Sequence, residues 1–243
     1  MIKVEDLTKR FDHQEVLRNI NLEIYDNETL VILGPSGQGK TVLIKTLIRL
    51  LEPESGSIRY DDVNILKINK KDLDEFRKKV AFVFQNSALF DFLDVKENLG
   101  LFLKMHTSLS NNEIEEKIRN ALSFVGLRED IYDKFPEELS GGMKKRVAIA
   151  RAMIKEPKYI FYDEPTTGLD KTNSKKVSEL IQMLKHRISP ISVIVTHDIN
   201  LMQEVSDRVA LLKEGEIIFA GKKEAFSADT LEYLYHSGDE NGL

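Results

Sequence analysis

Apolar and polar residues alternate along Ile2-Lys3-Val4-Glu5-Asp6-Leu7 and again from Leu17 to Ile24, the two-residue period of strands with one covered face. Leu30-Val31-Ile32-Leu33 is unbroken apolar sequence and predicts a buried strand, entered through the turn Asp26-Asn27-Glu28. Val42 to Leu51 carries its apolar residues at helical spacing, and the turn cluster Glu52 to Ser57 separates it from a short strand at Ile58-Arg59-Tyr60. Lys70 to Lys79 predicts a charged helix that ends in Val80-Ala81-Phe82-Val83-Phe84, a strand expected to be buried on both faces. From Ser87 to Ile154 no strand pattern occurs. Lys96 to Met105, Asn112 to Val125 and Met143 to Ile154 are spaced as helices, and the polar run Ser108 to Asn112 is a connection in which Asn111 or Asn112 is expected to cap. Two further apolar strands, Tyr159 to Pro165 and Ser192 to His197, precede a hairpin of Arg208 to Leu212 and Glu216 to Ala220 over Lys213-Glu214-Gly215. The order predicts an α/β fold in which a helical subdomain is inserted into a sheet-bearing one. The segment from Lys222 to Leu243 is partly helical in pattern and polar from Ser237 to Gly242, as expected of a mobile or partner-ordered tail.

Chemistry enters where the strand Leu30–Leu33 runs into Gly34-Pro35-Ser36-Gly37-Gln38-Gly39-Lys40-Thr41, two glycines with four residues between them, then Lys and Thr. Glycine lets the chain curl so that successive N–H groups point at one anion, and the helix starting near Gly39 aims its positive end the same way. A polyphosphate fits such a loop. Lys40 reaches the outer phosphates as a point charge, and the Thr41 hydroxyl is placed to hold magnesium. The strand Tyr159 to Pro165 ends in two carboxylates. Asp163 stands where a magnesium held by Thr41 needs an anionic partner, and Glu164 is placed to activate or orient a water for in-line attack on a terminal phosphate.

Other positions have two readings. Gln85 follows the apolar run 80–84, where parallel sheets carry their ligand loops. Its carbonyl oxygen suits magnesium or the positioning of a water, yet taken alone it reads as a solvent-facing glutamine. Ser140-Gly141-Gly142 opens a helix and is either a second anion site or a simple N-cap by Ser140. Phe11, between the first two strands, either stacks on a nucleotide base or makes a plain core contact. His197 ends the last apolar strand, and a neutral imidazole both donates and accepts, which suits it to the terminal phosphate or the attacking water. His13, His106, His186 and His236 have no such placement.

Composition narrows the partners. The chain has 243 residues and 42% hydrophobic content, enough to bury a sizeable core as one large or two tightly joined domains. A net charge of −5 gives no basic field to attract nucleic acid, so no nucleic acid partner is expected. The absence of cysteine excludes disulfides, thiolate catalysis and zinc–cysteine sites and leaves oxygen ligands for any metal. Without a signal-peptide core or a run of about eighteen apolar residues, the chain itself is expected neither to span a membrane nor to be exported.

From Ile2 to about Lys222 these segments resemble the nucleotide-binding subunit of ABC transporters. The motifs stand in that family's order: phosphate loop Gly34 to Thr41, glutamine loop at Gln85, signature Leu139 to Met143, Walker B strand Tyr159 to Glu164, the Asp170 loop, and His197. The resemblance implies a P-loop NTPase with a RecA-like core of mainly parallel sheet, an N-terminal antiparallel β-subdomain and an inserted α-helical subdomain at about residues 87–154. The domain would span 1–222, and a C-terminal tail, 223–243, would help join two copies. It implies ATP and Mg2+ as cofactors in a head-to-tail homodimer of ATPase subunits. Each ATP would lie between Gly34 to Thr41 of one copy and Ser140, Gly141 and Gly142 of the other. Residue by residue, Phe11 matches the aromatic that stacks on adenine, Lys40 and the loop amides hold phosphates, and Thr41, Gln85 and Asp163 surround the magnesium. Glu164 matches the catalytic base, His197 the phosphate-sensing histidine, and Asp170 the loop that crosses the dimer seam. Met143 stands where glutamine is usual.

Phe84 to Asp91, Val95, Glu97-Asn98, Tyr162 and the run Leu139 to Arg146 are similar to the ATPase of Mla or MCE-associated phospholipid transport systems, although Phe92 and Asp94 stand where serine and threonine are commoner there. That subfamily implies integral membrane permease subunits, a small regulatory subunit and a lipid-binding MCE protein as partners, at the cytoplasmic face of the inner membrane. Leu89, Phe90 and Phe92 lie where the family docks its permease. Two other readings are an ATPase for another cargo such as amino acids, and a soluble ABC ATPase acting on DNA or ribosomes. The last usually carries two such units or a long coiled-coil insertion, and this chain has neither.

Overall fold

The computed structural model describes residues 1–226. In chain order these form β1 (Ile2–Phe11), β2 (Gln14–Ile24), β3 (Thr29–Leu33), α1 (Lys40–Leu47), β4 (Ser55–Tyr60), β5 (Val63–Asn64), α2 (Lys70–Lys78), β6 (Val80–Val83), α3 (Val95–His106), α4 (Asn111–Phe124), α5 (Gly141–Met153), β7 (Tyr159–Asp163), α6 (Lys171–Ile188), β8 (Ile191–Thr196), α7 (Ile199–Val205), β9 (Arg208–Lys213) and β10 (Glu216–Lys222). They fall into two compact units, one of residues 1–77 with 190–226, the other of Lys78–Ser189. The tail expected to join two copies lies, from residue 227 onward, outside the described residues.

In the first unit β1 is central to an antiparallel sheet of order β2-β1-β4-β5. The alternation read from the sequence gives it one buried face: Ile2, Val4, Leu7, Leu17, Ile20, Leu22 and Ile24 are all buried. β1 runs four residues past the predicted Leu7, because its pairing with β2 continues to Phe11↔Gln14. Phe11 therefore ends a strand rather than sitting on a loop. Separately, β3 lies between β8 and β9 and is parallel to both, and β10 pairs antiparallel on the outer side of β9. Every residue of β3 and β8 is buried, as the unbroken apolar runs require. The β9–β10 turn places Glu214 at φ 50° and Gly215 at φ 81°, the positive values that let a two-residue turn follow the twist of its strands.

Helix α1 begins at Lys40 and stops at Leu47, two residues earlier and four short of the periodic run. Arg49 turns left-handed at φ 54°, and the Leu50 N–H returns to the Lys45 carbonyl at 2.9 Å, a closing turn that ends the helix. Short α7, which has too few residues to show a period, is capped by Asp198 accepting from Asn200 and Leu201.

The second unit holds the parallel pair β6 and β7, in register from Val80↔Tyr159 to Val83↔Tyr162. β6 is buried on one face and partly on the other. Val80, Ala81 and Val83 are buried, but Phe82 and, just past the strand, Phe84 are half-buried with their rings 4.3 Å apart between centroids, so the face they share is covered incompletely. Residues 87–154 carry α3, α4 and α5 and no strand. Asp94 with Glu97 and Ser110 with Glu113 form capping boxes at α3 and α4. Ser110, not Asn111 or Asn112, is thus the cap of α4: its hydroxyl accepts from the Glu113 N–H, and the Glu113 carboxylate accepts from the Ser110 N–H in return. The 18-residue α6 escaped the periodicity reading. Its buried apolar stripe, Val177, Leu180, Ile181 and Leu184, is narrow and lies among lysines.

Candidate functional site

In the first unit the phosphate loop leaves the end of buried β3 and becomes α1. Gly39 is the N-cap at φ 94°, Gly37 sits at φ 82°, and no side chain caps the first turn. A Cβ on Gly34 would stand 2.4 Å from the Leu212 carbonyl oxygen and one on Gly39 3.0 Å from that of Val16, so the loop fits its walls only as glycine. Pro35 and Gln38 are half-buried, Ser36 is exposed, and the Gln38 Oε1 accepts from the Glu214 N–H in the β9–β10 turn. Lys40 is 6% exposed, and its Nζ donates to the Gly34 carbonyl at 2.7 Å and the Pro35 carbonyl at 3.0 Å. A cation at the base of a glycine loop that opens a helix is a fitting cradle for polyphosphate. Thr41 is half-buried in the first turn of the same helix.

Phe11 is 43% exposed with the Lys9 ammonium 5.0 Å from its ring centre, which sets aside the core-contact reading and leaves a ring face open to a planar partner. His197 is exposed immediately after β8, and the neighbouring Asp198 starts α7.

In the second unit β7 delivers Asp163, 3% exposed, and Glu164, 7% exposed, at its C-terminal end. Glu164 adopts φ 47°, a left-handed conformation unusual for a residue with a side chain and characteristic of functional turns. The Thr167 hydroxyl donates to Glu164 Oε2 at 3.1 Å. Gln85 is exposed, two residues past β6. The side chain that links these two strand ends is Lys145 on α5. Its Nζ donates to the carbonyl oxygens of Gln85 and, at 3.2 Å, of Glu164. Burial pulls the Lys145 ammonium below its ordinary pKa, while the Asp163 and Glu164 carboxylates push the other way. In the sequence Lys145 is one of three consecutive basic residues, and neither spacing nor helical phase singles it out, because α5 is buried all round from Val147 to Ala150.

Ser140 is the N-cap of α5, its Oγ accepting from the Met143 N–H at 3.3 Å. Gly141 is exposed, and a Cβ there would meet nothing within 4 Å. At Gly142 a Cβ would stand 2.8 Å from the Asn173 Oδ1, and that same Asn173 amide donates to Asp170, the N-cap of α6. The Asn173 backbone N–H, donating to Asp170 at 2.9 Å, and then this side-chain bond hold the Asp170 carboxyl below the usual range. Asn173 thus bonds Asp170 and lies close against Gly142. Within the second unit Gln85 and Asp163 carry oxygen donors of the kind magnesium takes, and within the first Thr41 carries a hydroxyl of the same kind. Among the described residues no helix is long and apolar enough to cross a membrane.

A buried strand, a glycine loop and a helix in that order, with another strand ending in adjacent carboxylates, define a P-loop nucleotide-binding domain. Known proteins agree. The ABC transporter family model matches residues 17–167. The chain is 38% identical, over 92% of its length and 64% of the relative's, to a probable ribonucleotide transport ATP-binding protein, mkl, of Mycobacterium leprae. It is 39% identical, over 91% of its length and 64% of the relative's, to the methionine import ATP-binding protein MetN of Francisella tularensis. Among solved structures it is similar to the ATP-binding cassette MJ0796 in a dimeric post-hydrolysis state bound to ADP and Pi, with TM-score 0.85, 32% identity and coverage of 93% of this chain and 100% of that one. The chain belongs to the ABC transporter family as an ATP-binding domain. It spans 64% of the length of the two curated relatives.

Proposed function

We propose that this chain binds MgATP and hydrolyses it as the motor subunit of an ABC transporter, in a homodimer that works with integral membrane permease subunits. The observation that carries the reading is Glu164, a buried carboxylate beside Asp163, fixed at a disfavoured backbone angle and steadied by Thr167. A general base for water attack needs that kind of fixed placement. In this reading Gly34 to Lys40 grip the phosphates, Phe11 stacks on adenine, and His197 and Gln85 attend the terminal phosphate. Ser140, Gly141, Gly142 and Asp170 serve the ATP bound to the other copy. Magnesium, held by the oxygens of Thr41, Gln85 and Asp163, would neutralise charge developing on the phosphates. Residues 1–222 act as one nucleotide-binding domain, with a helical subdomain at about 87–154, and 223–243 as a tail toward the other copy. The test is Glu164→Gln. We expect ATP turnover to fall about 100-fold or more and an ATP-bound dimer to accumulate in light scattering. Wild-type turnover by a variant that stays monomeric would refute the assignment.

For cargo we propose phospholipid, moved between bacterial membranes, with the subunit at the cytoplasmic face of the inner membrane. The support is the segment Phe84 to Asp91 and the basic run after Leu139-Ser140-Gly141-Gly142-Met143, together with an exposed aromatic pair suited to a permease. Phe90 is 42% and Phe92 76% exposed, with ring centres 5.7 Å apart. A small regulatory subunit and a lipid-binding MCE protein complete this proposal. The likeness to a methionine import protein favours a second reading, an importer of another cargo such as amino acids. Purification from native membranes, with the bound chains and lipids identified, separates the two. Co-purifying phospholipid supports the first, and a soluble amino-acid-binding partner supports the second.

A further inference from the structure

We propose that Lys145 is a positioning residue that locks the Gln85 loop and the Glu164 turn into one piece, so that both side chains are aimed together. The inference rests on the reading of Glu164 as the hydrolytic base. Lys145 is 5% exposed, and its two carbonyl acceptors lie 60 and 19 residues away in sequence. Those acceptors follow the C-terminal ends of β6 and β7, which are parallel neighbours up to Val83↔Tyr162. Beyond that pair the strand ladder stops, and the two chains turn away without backbone bonds to hold them in step.

Each turn also adopts conformations that side chains disfavour. Glu164 has φ 47°, Ser87 61° and Ala88 46°. Such angles persist only where the surroundings over-determine them. Helix α5 supplies that surrounding. Arg151 donates to the Ser87 carbonyl at 2.9 Å and the Ala88 carbonyl at 2.8 Å, and Lys155, two residues past the helix end, donates to the Val80 carbonyl at 2.6 Å. Lys145 is the member of this row that reaches both strand ends.

A neutral side chain would bond two carbonyls at lower desolvation cost than an ammonium. The charge is useful here because Asp163 and Glu164 are adjacent carboxylates, both nearly buried, and a cation fixed among their backbones eases their repulsion. Since Ser140 caps α5, Lys145 and Arg151 on that helix tie the signature segment to the glutamine loop as well.

The experiment uses the full chain with Lys145→Met, which keeps the stem and removes the donors, and Lys145→Arg, which keeps donors and charge. Misaiming a catalytic group by about 1 Å costs on the order of 100-fold in rate. We therefore expect kcat for MgATP to fall roughly 10- to 100-fold in Lys145→Met, with KM within about twofold, and Lys145→Arg to regain most of the loss. Added to Glu164→Gln, Lys145→Met should slow turnover by less than about twofold, because the two act through one group. Hydrogen exchange without nucleotide should speed up at residues 85–88 and 164–167 in Lys145→Met. A kcat within twofold of wild type, unchanged exchange at both segments, or equal loss of kcat and fold with no recovery in Lys145→Arg would overturn the proposal. If Glu164→Gln turns over as fast as wild type, the reading of Glu164 fails, and the exchange measurement still decides whether Lys145 fixes the two turns.

Discussion

Lys40 and Lys145 are both buried, and each ammonium donates to backbone carbonyls, yet the two ties differ in reach. Lys40 bonds Gly34 and Pro35, six and five residues back in its own loop. Lys145 bonds Gln85 and Glu164 across 60 and 19 residues. A short-range tie can be exchanged for a phosphate with nothing distant disturbed, because the loop's course is already set by its glycines. A long-range tie cannot be released without loosening two segments. The first lysine is suited to hold a ligand and the second to hold the protein.

That contrast breaks most visibly at Lys40. Lys40→Ala removes charge-assisted bonds to phosphate of about 2–3 kcal/mol, so titration calorimetry should show nucleotide affinity roughly 30- to 150-fold weaker, with the melting temperature little changed. Unchanged affinity in Lys40→Ala alongside lost affinity in Lys145→Met would invert the comparison. The glycines sharpen it next. Gly34→Ala sets a Cβ 2.4 Å from the Leu212 carbonyl oxygen, and we expect a loss of about 2 kcal/mol in urea denaturation. Gly141→Ala, facing open space, should stay within about 0.5 kcal/mol of wild type. Equal losses would mean that the α5 start is as tightly built as the phosphate loop.

The smallest effect concerns Lys155. Burial, with Arg151 adding repulsion, pulls its ammonium from 10.5 to about 8. Between those values the unfolded chain binds more protons than the folded one, so stability contributed by this group rises with pH across that window. Lys155→Met should flatten the rise in chemical denaturation followed from pH 8 to 10.5.

Elements whose cause lies within a few residues were legible in the sequence. The unbroken apolar runs of β3, β7 and β8 and the spacing of Gly34, Gly39, Lys40 and Thr41 carry their own meaning, and so does the carboxylate pair after Tyr162. Features set by tertiary contact were not. Phe11 belongs to a strand because Gln14 pairs with it. Ser110 caps α4 because Glu113 answers it, a box that the asparagines beside it obscured. α6 stayed hidden behind its lysines, and with it Asn173, which bonds Asp170 and leaves no room for a side chain at Gly142. Lys145 was visible as one basic residue of three, and only its burial and two distant carbonyls distinguish it from Lys144 and Arg146.

The corner at Glu214 and Gly215 has a practical side. Its Glu214 N–H is taken by Gln38, its Gly215 carbonyl accepts from the Arg18 N–H at 2.8 Å, and a Cβ on Gly215 would stand 2.6 Å from the Val16 oxygen. A dye, epitope or extra domain spliced into that corner would wrench the nucleotide cradle from 176 residues away. The exposed stretch Met105 to His106, at the far end of α3, offers a labelling position with no such penalty.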